Sequence, residues 1–320
     1  MELRHLRYFL AVADAMSFTE AARRLHLAQP ALSQQIRALE KELGVTLVER
    51  GARTRGLTEA GTRFAARARR ILLEAEGAAE EMSVLAGAGS GTVRFGSALQ
   101  SLTEGRLAAL LAAFHRLHPG VRVAFREAHT RPLLELLAEG ELDLALVHLG
   151  RGDAGSALRV DFEDAHVRLE KLYEEPLVLA VDPGHRLAGR TSVRWKELAE
   201  EEFVSFGAGS TVLELVAKAA RQAGVALREP ISATNLGTVR ALVSAGLGVA
   251  VLPVEALTLP GPPLRGIALA APALTRIVAL ARNTIRYESP SAEAFAGFVR
   301  EGLRPAALRE RTIKRRGGLS

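Results

Sequence analysis

SFTEAARRLHLAQPALSQQIRALEKELGVTLVER, residues 17–50, reads as two helices joined by a tight turn and followed by the start of a hairpin. Ser17-Phe18-Thr19-Glu20 has the spacing of a capping box, in which Ser17 accepts from the Glu20 amide while the Glu20 side chain reaches back. A helix therefore starts at Phe18 and buries Phe18, Ala21, Ala22 and Leu25. His26-Leu27-Ala28 makes the turn. Pro30 suits the first turn of the next helix, where its missing N–H costs little. In that helix Leu32, Ile36, Leu39 and Leu43 form one apolar stripe, and Gln29, Pro30, Ser33, Gln34, Arg37 and Lys41 share the other side. Gly44 stops it. A face of amides, hydroxyl and cation suits a DNA major groove: Gln pairs with adenine, Arg with guanine or phosphate, Ser with several base edges.

Working outward, Leu3, Leu6, Phe9, Leu10 and Ala13 predict an amphipathic helix over 3–15. Val45–Leu47 and Gly56–Thr58 read as short strands flanking a hairpin with Arg50, Arg53 and Arg55. Together these elements make a winged helix-turn-helix, all-α with a β wing. A three-helix bundle with a merely polar surface fits the same residues. Thr58 is placed to cap a long helix from Glu59, in which Phe64, Ala68, Ile71, Ala75, Ala78, Met82 and Leu85 alternate at spacings of four and three. That is a heptad seam for a second copy of the chain, and about 28 residues would span ~42 Å. A helix packed on its own chain is the competing reading. The small alanines bury little, so the seam alone makes a weak dimer. Gly87-Ala88-Gly89-Ser90-Gly91 follows a helix and lacks the Lys of a phosphate loop, so it reads as a hinge.

Charge follows this division. Of the net +6, residues 1–70 hold +6 (13 Lys/Arg, 7 Asp/Glu), 71–299 hold −5 (22 against 27) and 300–320 hold +5 (7 against 2). A basic N-terminal module is the electrostatic footprint of phosphate binding, although solvated surface charge would look alike. The Arg309–Arg316 tail is read as solubilising rather than DNA-binding. There is no cysteine, which removes thiol switches, thiolate metal sites and disulfides. The charged N-terminus does not read as a signal peptide, and no apolar run approaches the roughly 18 residues of a membrane span. The expectation is a cytoplasmic protein without a membrane partner.

From Thr92 the pattern turns to α/β. Strands are expected at Thr92–Gly96, Val121–Glu127, Leu142–Leu149, Pro176–Asp182, Phe203–Phe206, Arg228–Ser232, Gly248–Leu252 and Arg276–Arg282. Helices are expected at 104–117, 131–139, 211–223, 236–246 and 291–303. Open α/β sheets bind ligands at strand carboxyl ends. Polar strand-to-helix junctions of this kind lie at Ser97–Thr103, His129-Thr130, Ser205–Ser210 and Thr234-Asn235. Helix N-termini offer free amides and partial positive charge, which suits a small carboxylate. The candidate ligand residues are Ser97, Gln100, Ser101, Thr103, Thr130, His148, Ser205, Phe206, Thr234 and Asn235, with helix capping alone as the competing role. No fixed counter-charge is apparent among them. No HExxH, GxSxG or Lys-bearing phosphate loop occurs, so no catalytic residue, metal site or cofactor is assigned.

The run FxAVxxxxSFTEAARRLHLAQPALSQQIRALEKELGVTLVER, followed by LTEAG, resembles the N-terminal domain of LysR-type transcriptional regulators over residues 2–61. FHRLHPGVRVAFREA, LLAEGELDLALV and LVSAGLGVAVLP resemble that family's effector-binding domain, which is periplasmic-binding-protein-like with two subdomains. The resemblance implies DNA contacts by Gln29, Pro30, Ser33 and Gln34 with Arg53 in the wing, and a pocket between subdomains lined by the first loop and Thr130. Ala28 and Val48 depart from the family pattern. The expected domains are 1–58 (winged helix-turn-helix), 59–91 (linker helix and hinge), 92–305 (effector domain: 92–162 with 267–305, and 163–266) and 306–320 (tail). Expected partners are double-stranded promoter DNA, a small-molecule effector (a carboxylate by choice), a second or fourth copy of the chain, and RNA polymerase as a further candidate. The competing functions are an α/β enzyme with a fused helix-turn-helix, and a sequence-neutral DNA binder. Against the second stands the nearly Lys-free recognition face.

Overall fold

The computed structural model describes residues 1–49, 56–85, 91–99, 106–150, 159–162, 165–283 and 288–303. The N-terminal module packs α1 (Leu3–Ala15), α2 (Phe18–Arg24) and α3 (Gln29–Leu43) around Leu6, Phe9, Leu32, Ile36 and Leu39, all fully buried. Ser17 Oγ accepts from the Glu20 amide at 3.3 Å. The reciprocal half of the expected box is replaced, because the Glu20 carboxylate is held by Arg23 and Arg24 one turn on. Gly44 ends α3 in the left-handed region at φ 71°, a conformation open to glycine at little cost.

The wing pairs β1 (Val48–Glu49) with β2 (Gly56–Leu57), so its first strand lies later than the expected Val45–Leu47. The reason is local. One Glu40 oxygen on α3 accepts from the Leu47 and Val48 amides at 2.9 and 3.1 Å, holding that backbone to the helix. Thr58 caps α4 (Glu59–Leu85), accepting from the Gly61 amide at 2.9 Å. A Cβ at Gly61 would lie 2.0 Å from the Leu47 carbonyl oxygen, so this helix can cross the wing only with glycine there.

The C-terminal half is two lobes sharing a nine-stranded sheet, in the order β4-β3-β5-β13-β7-β12-β8, with β6 and β11 also paired to β7, while β9 and β10 form a separate parallel pair. Lobe I carries β3 (Gly91–Ser97), α5 (Ala108–Leu117), β4 (Val121–Glu127), α6 (Thr130–Glu139), β5 (Leu144–Gly150), β6 (Arg159–Phe162) and α9 (Pro290–Leu303). Its strands β3, β4 and β5 are parallel. Lobe II carries β8 (Ser192–Arg194), β9 (Glu202–Phe206), α7 (Thr211–Gln222), β10 (Arg228–Ala233), α8 (Leu236–Ser244), β11 (Ala250–Pro253) and β12 (Arg265–Ala270).

Two long strands cross between the lobes. They are β7 (Ala165–Val181), 17 residues, and β13 (Leu274–Asn283). The residues of β7 up to Leu177 pair with β13, and those from Leu177 pair with β11 and β12. The crossovers therefore fall near 175 and 275, not at 163 and 266. Strands β6, β8 and β12 were not expected, and β7 begins eleven residues before the expected Pro176. Its first half is polar (HVRLEKLYEE), and tertiary pairing overrides the weak strand pattern there.

Candidate functional site

Gln29, Pro30, Gln34 and Arg37 are exposed on α3 and Ser33 is half-buried, while the apolar stripe is in the core. The structure thus presents the expected polar face to solvent as one surface. Ala28 starts the helix without a side-chain cap. Arg50 and Arg53 lie outside the described residues.

The α4 seam divides. Phe64 and Ala68 pack into their own module, Phe64 against Phe9 with ring centroids 5.2 Å apart and Ala68 fully buried. They are therefore removed from the expected interchain seam, because the first turns of α4 complete the N-terminal core. Ile71 and Met82 are exposed by 39% and 56%, Ala78 is exposed and Ala75 is half-buried. This stretch is what remains for a partner helix. The Leu85 side chain lies outside the described residues.

Between the lobes lies a cavity of about 230 Å³. Lobe I contributes Ser97, Glu127, His129 and His148; lobe II contributes Phe206, Ser210, Thr234, Asn235 and Pro253; and Arg276 comes from the crossing strand β13. Three helices begin here: α6 after His129, α7 after Ser210 and α8 after Asn235. Each brings the positive end of its dipole; at α8 the Asn235 side chain already accepts from the Thr238 amide at 3.2 Å, and the third residue of α6 is Pro132, which has no N–H. Of the expected residues, Ser97, His148, Phe206, Thr234 and Asn235 line the cavity. Gln100, Ser101 and Thr103 lie outside the described residues.

Two expected residues take other roles. Thr130 is not in the lining: its Oγ1 lies 3.0 Å from His148 Nδ1, 3.1 Å from the His148 carbonyl oxygen and 3.3 Å from the His148 amide. The hydroxyl is spent on His148, one strand away. Ser205 donates to the Ile231 carbonyl at 3.4 Å and serves the β9–β10 pair.

Sequence reasoning missed Arg276 and Pro253 and placed His129 and Ser210 at the right junctions without choosing them as ligand residues, and the cavity does hold a fixed charge. Arg276 sits opposite Glu175 across the β13–β7 ladder, and its Nε donates to Glu175 Oε2 at 2.6 Å. Both side chains are at most 5% exposed. Facing residues of an antiparallel pair project to the same side, so the ion pair fastens the two crossing strands together. The contact is single. Glu175 Oε1 has no partner, and the terminal nitrogens of Arg276 have none among the described residues. Burial pushes the Glu175 carboxyl up, opposed by Arg276. Burial, then the charge of Arg276 and the neighbouring His129, hold His148 well below the ordinary imidazole range, so its ring is neutral. The available signal was a charge inside an apolar strand, LTRIVALA, since a buried charge requires a partner. Glu127, exposed, is the acidic group at the rim.

The far end of α6 meets the linker. Arg70 donates to the Ala138 carbonyl at 3.3 Å, and Arg69 bridges Glu141 at 3.2 Å and Asp14 of α1 at 2.6 Å. No described helix is long and apolar enough to cross a membrane.

Comparison with known proteins agrees with this architecture. Residues 3–62 match the family described as "Bacterial regulatory helix-turn-helix protein, lysR family", and residues 86–304 match "LysR substrate binding domain". The uncharacterized HTH-type transcriptional regulator YnfL of Escherichia coli is 36% identical over 258 residues, 79% of this chain and 82% of that one. A probable hydrogen peroxide-inducible genes activator of Streptomyces viridosporus is 34% identical over 312 residues, 96% of each. Among solved structures, a full-length OxyR variant from Pseudomonas aeruginosa superposes with a TM-score of 0.70 at 26% identity, covering 95% of this chain and 94% of that one. CbnR complexed with its target DNA shares the fold, with a TM-score of 0.65 at 24% identity and coverage of 94% and 100%.

Proposed function

Since this chain belongs to the LysR family of transcription regulators, with a helix-turn-helix DNA-binding domain and an effector-binding domain, we propose that its effector is a small organic acid held between the lobes. The observation that carries the reading is that three helix N-termini open on one small cavity with Arg276, whose terminal nitrogens have no partner among the described residues. A buried guanidinium presents donors in a fixed fork suited to a carboxylate. The volume, about 230 Å³, is below the roughly 300–1,000 Å³ of drug-sized sites and favours a compact ligand. The likeness to peroxide-inducible activators brings no thiol sensor with it, because the chain has no cysteine.

Promoter DNA is read by Gln29, Pro30, Ser33, Gln34 and Arg37, with Arg50 and Arg53 of the wing on the backbone. Dimers form along the Ile71–Met82 face of α4. The ligand acts through α6, which starts at the cavity and ends on Arg69 and Arg70 of the linker helix. A ligand with higher affinity for one lobe angle shifts the population of that state, and α6 carries the change to the helix that sets the spacing of the DNA-binding modules.

The test is thermal denaturation of the full chain against small carboxylates, amines and neutral sugars, since a ligand of the folded state raises its apparent stability. Carboxylates are expected to raise Tm in the native protein and not in Arg276→Gln. Stabilisation by amines or sugars alone refutes the reading.

A further inference from the structure

We infer that the ligand places a hydrogen-bond donor, a hydroxyl or an N–H, against Nε2 of His148, so that the acids recognised are hydroxy- or amino-substituted rather than plain carboxylates. This rests on the organic-acid reading above and narrows it.

The argument begins at Thr130. Its hydroxyl has one proton and two lone pairs. Three groups surround Oγ1: the His148 main-chain N–H at 3.3 Å, the His148 carbonyl oxygen at 3.1 Å and the ring nitrogen Nδ1 at 3.0 Å. The main-chain N–H can only donate, and the carbonyl can only accept. The single hydroxyl proton therefore belongs to the carbonyl. Nδ1 is then matched only if it carries a proton and donates to the remaining lone pair. Were Nδ1 bare, it and the carbonyl would compete for one proton, and one of two buried acceptors would go without. An unmatched buried polar group costs far more than a bond gained. All three contacts are satisfied together in one arrangement, the Nδ1–H tautomer.

The other ring nitrogen is then a bare acceptor. Thr130 occupies the Nδ1 edge, so His148 offers the cavity its Nε2 edge. The ring is buried beside the Arg276 cation, which keeps it neutral. Most of the other polar groups described here supply donors: the Arg276 nitrogens, the starts of three helices and the Ser97 hydroxyl. Ser97 Oγ already accepts from the Leu99 amide at 3.1 Å, which leaves its proton and one lone pair for a ligand. A plain carboxylate satisfies the donors but sets an oxygen lone pair, or nothing, against Nε2. An acid with a hydroxyl or ammonium group satisfies both. Thr130 is thus a positioning residue, which acts through the tautomer of His148.

Two measurements on the full chain test this. Long-range ¹⁵N–¹H correlation spectra, with His148 assigned by its loss in His148→Gln, are expected to show a protonated Nδ1 and a bare Nε2. The opposite tautomer overturns the inference. Calorimetry then compares acids that differ only at the donor: propionate with lactate, succinate with malate, butyrate with 3-hydroxybutyrate, and each hydroxy acid with its methyl ether. In at least one series the hydroxy acid is expected to bind about tenfold more tightly than both relatives, a typical yield for one matched hydrogen bond. Thr130→Val, which frees the ring to change tautomer, is expected to shrink that ratio while binding of the plain acid is kept. Equal binding within every series overturns this inference and leaves the organic-acid reading standing. Failure of every acid to bind overturns that reading, and this inference with it.

Discussion

Replacing Arg276 with Met tests whether the two crossing strands are held by a buried charge pair. The substitution keeps an unbranched apolar stem, is shorter, and removes the cation together with its hydrogen-bond donors. Both partners are nearly excluded from solvent, at 5% and 2% exposure, and the bond at 2.6 Å is single. Glu175 Oε1 already lacks a partner among the described residues, so among these the variant leaves both carboxylate oxygens unpaired. Removing one member of a buried pair typically costs ~3–5 kcal/mol. At roughly 2–4 °C per kcal/mol for a domain of this size, that is a fall in Tm of roughly 6–20 °C at neutral pH. The loss should depend on pH, with a definite sign. The Glu175 carboxyl is already raised by burial and only partly restrained by Arg276. Without the cation it rises further. A carboxyl raised in the folded state binds its proton more tightly there, so stability falls as pH climbs from the unfolded value near ~4.3 through the folded one. Arg276→Met should therefore be closest to native stability in mild acid and furthest from it above neutrality. Differential scanning calorimetry from pH 5 to 8 reads this directly, and Glu175→Gln/Arg276→Met should lose most of the added pH dependence. A Tm for Arg276→Met equal to the native value, or lowered equally at every pH, refutes the reasoning.

Gly61→Ala puts a Cβ against the Leu47 backbone oxygen; overpacking of that kind costs ~1–3 kcal/mol, and circular dichroism of the N-terminal melting step together with gel-shift assays should show the loss. Gln29→Ala or Ser33→Ala should weaken operator binding by ~1–3 kcal/mol and leave random DNA nearly unaffected; equal losses in fluorescence anisotropy on both would remove these residues from base readout. Arg53→Ala should weaken both and lower the salt slope by about one. Ile71→Asp places a charge on the exposed face of α4 and should dissociate the oligomer in light scattering, whereas Phe64→Ala, which truncates a half-buried ring packed on the module's own core, should cost stability by ~3 kcal/mol, the low end of the range for Phe truncation, read as a fall in Tm.

The sequence by itself determined the N-terminal module, because its contacts are local. The Leu32/Ile36/Leu39 stripe, Pro30 at the helix start, Gly44 at its end and Thr58 before Glu59 each act within a turn or two. It determined equally that strands alternate with helices beyond Thr92, and that polar helix starts at His129, Ser210 and Asn235 follow strands. Tertiary structure alone decided which face of α4 is free, since Phe64 and Ala68 share one heptad pattern with Ile71 and differ only in what the folded module places over them. It alone decided the hinge, because β7 owes its length to partners at 159–162 and from 250 to 283. The site chemistry was split in the same way. Ser97, His148, Thr234 and Asn235 could be picked out as polar residues at strand and helix ends. The pairing of Glu175 with Arg276, about a hundred residues apart in the chain, and the use of the Thr130 hydroxyl to set the tautomer of His148 depend on register between distant strands. Local periodicity carries no information about that register, because it is settled by which strands lie side by side after the chain has closed on itself.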